Sequence, residues 1–310
     1  MTRLLTGLAA ALLSAALAAS AAAQTKVGIG YTAVTDFAAA FVAREEGFFK
    51  KRGLDAELTL IAINSNIPAA LMSDSIQFGG PTPSVFLQAV DGGLDLVAVS
   101  GASVSARENA RGGGVVARTG VEIKTPQDFV GKKVGAPGLG AFLHVLFRQW
   151  LIEKGVDPRK VTFVEVSFPT MNDVLKGGTV DAVVTADPFM SRMVAAGTGT
   201  VAFHYMADLP DGKPQILYAA TRDWAQKNAA TVAAFRAAIA EGSAFVAANP
   251  DKTREHMGKY IKLPPEVLKG VLISRPDAAL TADQLNWWVD VMKGQGMFKT
   301  GPDAAKLLLP

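Results

Sequence analysis

The residues of this chain best placed to do chemistry lie in short runs of small residues, each caught between an apolar strand pattern and a helix pattern. Three such runs are Gly79-Gly80-Pro81-Thr82-Pro83-Ser84, Ala136-Pro137-Gly138-Leu139-Gly140-Ala141 and Ala186-Asp187-Pro188-Phe189. Small residues let a ligand approach the backbone, proline presets a first helical turn, and a helix start offers free N–H groups. That is the chemistry of non-covalent capture of a polar or anionic group. Thr82, Pro83 and Ser84 offer hydroxyls and N–H groups. Gly138, Leu139 and Gly140 offer only backbone. Asp187 could accept from a ligand N–H, with Phe189 packed on the ligand's face. A further loop, 32–37, offers Thr35 and Asp36 as hydrogen-bonding groups and Phe37 as a stacking ring. Asn64 carries a donor and an acceptor in one side chain. Each has an ordinary alternative: Thr35, Asp36, Thr82 and Asp187 as helix caps, Phe37 as core, Asn64 in a turn.

Covalent and metal chemistry find little support. The sequence holds no cysteine and no Gly-x-Ser-x-Gly elbow, and no loop carries paired carboxylates. His144, His204 and His256 are far apart, so no metal site and no cofactor are expected. Arg107 and Arg111 read as solvated charges. With 31 basic and 28 acidic residues, the charge balance argues against a nucleic-acid partner.

The elements that must position these loops alternate. Strand patterns at 27–31, 57–63, 76–79 and 94–100 are interleaved with helix patterns, which implies a mostly parallel sheet with helices on both faces. After the glycine break at 112–114 a second βα series follows, with strand patterns at 133–136, 161–166 and 181–186 and a last one at 215–220. From Asp223 onward the pattern is nearly all helical. Residues 1–23 read as a secretory signal cleaved near Ala23: Arg3, an apolar run, then small residues. No second stretch reads as a membrane span.

Residues 43–55, Ala-Arg-Glu-Glu-Gly-Phe-Phe-Lys-Lys-Arg-Gly-Leu-Asp, resemble a signature of the periplasmic solute-binding proteins that serve ABC importers of nitrate, sulfonates, taurine and thiamine-pyrimidine precursors. Ile76-Gln77-Phe78-Gly79, Asp128-Phe129-Val130-Gly131-Lys132-Lys133-Val134-Gly135 and Val174-Leu175-Lys176-Gly177-Gly178-Thr179-Val180-Asp181-Ala182-Val183 are similar to other stretches of that family. The resemblance implies an α/β type II periplasmic binding fold. One lobe would hold 24–112 with 222–310, the other 113–221, and the ligand would lie in the cleft between them. It also places Asn64 and Asp187-Pro188 at loops the family uses. Relatives that bind oxyanions often carry hydroxyls where this chain has Gly138, Leu139 and Gly140, so a partly apolar ligand is expected, an organic anion or a heteroaromatic compound. The expected protein is a periplasmic monomer that captures this ligand and delivers it to an inner-membrane ABC permease. A periplasmic ligand sensor is one alternative, and a pyrimidine-precursor synthesis enzyme on the same fold is another.

Overall fold

The computed structural model describes residues 24–309; the expected signal segment lies outside them. The chain first runs through β1 (Thr25–Tyr31), α1 (Ala38–Glu45), α2 (Phe48–Lys51), β2 (Leu54–Leu60), α3 (Ile67–Met72), β3 (Phe78–Gly79), α4 (Pro83–Asp91) and β4 (Leu96–Val104). A short 3-10 helix at Arg107–Gly112 leads to the second series. This comprises β5 (Gly113–Arg118), β6 (Lys133–Ala136), α5 (Phe142–Glu153), β7 (Thr162–Glu165), α6 (Met171–Lys176), β8 (Ala182–Ala186), α7 (Phe189–Ala195) and β9 (Gly199–Phe203). The chain then returns through β10 (Pro214–Thr221), α8 (Arg222–Lys227), α9 (Ala229–Ala248), α10 (Pro250–Ile261), α11 (Pro265–Leu268), β11 (Arg275–Pro276) and α12 (Ala282–Gly294).

Two sheets result. The first has the order β11-β4-β10-β3-β1-β2 and the second β7-β6-β8-β5-β9. β1 pairs in parallel with β2 and β3, and β6 in parallel with β7 and β8. β10 runs antiparallel between β3 and β4. The expectation that residues 215–220 close the second series is therefore corrected. Ile216 to Ala220 are apolar, and all but one of the β10 residues between Pro214 and Ala220 are buried, so the strand sits inside the first sheet rather than at an edge of the second. The chain crosses between the sheets twice, and Ser105 ties the crossings together. Its N–H donates to Lys213 O at 2.8 Å, and its hydroxyl donates to Pro210 O at 2.5 Å while accepting from Lys213 N at 2.9 Å.

Between the sheets and their helices lies an aromatic-rich core. Phe78 stacks on Phe235 with centroids 3.9 Å apart, and Phe147 stacks on Trp150 at 5.7 Å. α9 is, by length and composition, apolar enough to cross a membrane. In the fold it buries Val232, Phe235, Ala238, Ile239, Gly242 and Val246 and packs along the alanine-rich α1. Small residues on both helices allow the backbones to approach closely.

Candidate functional site

A cavity of about 100 Å3 lies between the two sheets, lined from both. Beyond the carboxyl ends of parallel strands is where an open α/β sheet offers loops to a ligand, and the strand-end loops of this chain converge there. From the first sheet come Thr35 and Asp36 after β1, Asn64 after β2 and Thr82 after β3. From the second come Pro137, Ala141 and Phe142 after β6, Phe168 after β7 and Asp187 after β8.

Five of the twelve expected site residues line this cavity: Thr35, Asp36, Asn64, Thr82 and Asp187. Thr35 exchanges a 2.8 Å hydrogen bond with the Ser274 hydroxyl and accepts from Ser274 N at 3.2 Å. Asp36 accepts from the Ser103 hydroxyl at 2.7 Å. Burial pushes the Asp36 carboxyl up from its ordinary value, against the opposing pull of the Ser103 and Ser274 hydroxyls. Asp187 accepts from Ser191 N at 3.0 Å and from the Ser191 hydroxyl at 2.7 Å, so it caps α7 while also facing the cavity.

Asn64 acts as a clamp. Its Nδ2 donates to Gly80 O at 3.0 Å and its Oδ1 accepts from Thr82 N at 2.8 Å, while Thr82 Oγ1 caps α4 by accepting from Val85 N at 3.3 Å. Asn64→Ala would orphan two backbone groups of a buried loop, each worth about 1–3 kcal/mol when left unpaired. Urea unfolding of the ligand-free protein should accordingly show a loss of that order, and an unchanged midpoint would contradict the clamp.

The other seven lie elsewhere. Phe37 is fully buried in the first sheet's core, edge-on to Tyr31 and Tyr218. It fills the space beside Gly80, where an added Cβ would sit 2.1 Å from its ring. Pro83 opens α4 and Ser84 is buried, sharing a 3.1 Å hydrogen bond with the Thr82 hydroxyl. Phe189 stacks behind Phe168 at 5.1 Å and so backs the cavity wall rather than forming it. Gly138, Leu139 and Gly140 form a contact across the cleft. A Cβ on Gly138 would lie 3.7 Å from Ser65 N, Gln88 donates to Gly140 O at 3.0 Å, and exposed Leu139 faces a surface groove beside Ser65, Met72 and Gln88. Glu165 completes this contact by accepting from Ser65 Oγ at 3.1 Å and Leu139 N at 2.9 Å. Gly140 holds φ at +80°, a left-handed conformation suited to glycine.

The sequence reading missed Asn109, Phe142, Phe168, Met206, Gln215 and Ser274, all of which line the cavity. Phe142 directly follows the glycine loop and could have been included from its position. Ser274 comes from a C-terminal segment with no local signal. None of the three histidines lines the cavity, and among the described residues no group of three or more His, Cys, Asp or Glu could hold a metal.

His144 sits behind the glycine loop, where its Nδ1 accepts from Gly140 N at 2.8 Å. Burial first, and the Arg148 charge second, hold it down to about 3. Its neutral form therefore belongs to the fold. The stability it contributes is complete above the unfolded value of about 6.5 and is lost as pH falls from there towards about 3. Melting curves over that window should fall more steeply for the wild type than for His144→Gln, which keeps an acceptor for Gly140 but cannot take up a proton. Parallel curves would refute this.

A family model described as NMT1/THI5 like matches residues 34–253. A candidate binding protein of Brucella abortus (strain 2308) is 27% identical over 260 residues, covering 81% of this chain and 78% of that protein. The nitrate/nitrite binding protein NrtA of Nostoc (strain PCC 7120) is 24% identical over 237 residues, covering 70% and 53%. Among solved structures, the chain is similar to the alkanesulfonate-binding protein SsuA of Xanthomonas axonopodis pv. citri bound to MOPS, with a TM-score of 0.76, 19% identity and coverage of 93% and 99%. It is also similar to the periplasmic nitrate-binding protein NrtA of Synechocystis PCC 6803, with a TM-score of 0.74, 17% identity and coverage of 91% and 84%. The fold is that of the periplasmic binding proteins. With the family model spanning well over half of its length, the chain belongs to the NMT1/THI5-like family.

Proposed function

We propose that this protein is the solute-binding component of an ABC importer. It would capture a small organic molecule in the periplasm between its two sheets and deliver it to a membrane permease. One observation carries the reading: a cavity bounded on both sides by strand-end loops, in a chain whose relatives are named as binding proteins. A hinge of two crossings, tied at Ser105, would let the two halves part and close. Enzyme chemistry is less well supported, because the lining offers hydroxyls, amides and two carboxylates but no histidine. The cavity's size, about seven to ten water-sized positions on the usual allowance per water, suits a molecule of about ten non-hydrogen atoms.

A thermal-shift screen of the purified protein against a library of small metabolites tests the proposal. A true solute present at ~100 times its dissociation constant stabilises by about 2.7 kcal/mol. No stabilisation by any solute, or turnover of one into product, would overturn it.

A further inference from the structure

The charge of the cavity lining is one-sided. Asp36 reaches it from the loop after β1 and Asp187 from the loop after β8, whereas among the described residues no Lys, Arg or His lines it. Neither carboxylate has a basic partner within 4.0 Å among the described residues. Asp36 is held by the Ser103 and Ser274 hydroxyls, partners that bring no charge, while burial raises its pKa. Asp187 gives one oxygen to Ser191, and its other oxygen has no protein donor among the described residues.

The opposing contribution comes from the helix starts that follow the strand-end loops, of which α1, α4 and α5 are the longest. α4 is already capped by Thr82, and α5 begins at the cavity with no side-chain cap. A helix start amounts to about half a positive charge that fades within its first turn, whereas Asp36 and Asp187 are the only formally charged side chains among the described residues that line the cavity. An anionic solute entering it would lose its water and find no basic side chain among the described lining residues to replace it. Phe142 and Phe168 add ring surface to the walls, and aromatic faces attract cations.

Resting on the solute-binding reading above, we infer that the solute carries an N–H-bearing cationic group, a protonated amine or an amidinium. Asp36 pairs with it from the first sheet's side and Asp187 from the second's. The pairing gives closure a driving force, because the solute joins two carboxylates that belong to opposite halves of the molecule. It also sets this chain apart from the nitrate- and alkanesulfonate-binding proteins it resembles, whose named ligands are anions. The anionic alternative raised by the resemblance gives way to a cation.

Two sets of near-isosteric probes test the inference: benzamidine, benzamide and benzoate, and acetamidine, acetamide and acetate, with nitrate and methanesulfonate as further anions. Melting temperature is read first, then affinity by calorimetry. Amidines should stabilise the protein and the anions should not. Asp36→Asn and Asp187→Asn should each weaken amidine binding about 10- to 150-fold, the range for a hydrogen bond to a charged group, with ligand-free melting temperatures showing that both variants fold. Stabilisation by an anion and not by an amidine would overturn the inference while leaving solute capture standing. No response to either amidine at millimolar concentration, or amidine affinity unchanged in both variants, would overturn it as well. Silence towards these probes and the whole metabolite library would remove the solute-binding reading itself.

Discussion

Replacing Trp288 by alanine is expected to destabilise the protein by about 3–5 kcal/mol, the range for removing a fully buried large aromatic. Trp288 is completely buried on α12. Its indole N–H donates to Pro214 O at 2.9 Å, at the start of β10, and its ring lies 5.5 Å from that of Phe142 and 5.0 Å from that of Trp287. One side chain thus joins the C-terminal helix, the inserted antiparallel strand and the first turn of α5 in the other half. Truncation leaves a cavity and strands the Pro214 carbonyl. It also frees Phe142, a cavity-lining ring, so solute affinity should fall together with stability. Urea unfolding of the ligand-free protein supplies the first number and calorimetry the second. A loss below about 1 kcal/mol, smaller than that of a typical point substitution, would mean that the α12 contact contributes little. Trp288→Phe separates the two components, since it fills most of the space and loses only the hydrogen bond.

The second large effect is expected at Gly242, where two tendencies oppose each other. Glycine inside a helix such as α9 is disfavoured relative to alanine by about 1 kcal/mol, so Gly242→Ala would stabilise an isolated helix. Here a Cβ would lie 2.3 Å from Ala39 O and 3.1 Å from Ala39 C. Those are backbone atoms of α1, with no flexible end to swing aside. Overpacking of this kind typically costs about 1–3 kcal/mol, sometimes more, and α1 leads directly back to the loop bearing Thr35 and Asp36. Net destabilisation is therefore expected, as a lower melting temperature. A raised melting temperature would show that the helices can separate freely and that the close approach is not required.

Much of the fold could be read from the sequence because its elements carry local signals. The βα alternation and the long α5 follow from apolar spacing and from small residues at loop ends, whereas the glycine break expected at 112–114 is largely strand, since Gly113 and Gly114 open β5 and pair with Ala186 and Thr185 of β8. The strand at 214–221 was recognisable as a strand but not as a member of the first sheet, since β10 pairs with strands more than a hundred residues earlier and local pattern carries no such information. The site behaved the same way. Thr35, Asp36, Asn64, Thr82 and Asp187 were accessible because strand-end loops converge by the geometry of the fold. Phe37 was misplaced because a ring after β1 can turn to ligand or to core, and the space left by Gly80 decides for core. Ser274 was invisible, as its place beside Thr35 depends on the C-terminal segment folding back to pair β11 with β4.

The central claim, that the two halves close around a solute, is tested most directly by a distance between them. The sequence has no cysteine, so paired cysteines introduced at exposed Met72 on α3 and exposed Val194 on α7 can carry spin labels without competing sites. Pulsed dipolar measurements are then made with and without a solute that raises the melting temperature. The account predicts a broad distribution without solute that narrows and shifts to a shorter separation at saturation. An identical distribution in both states would contradict it.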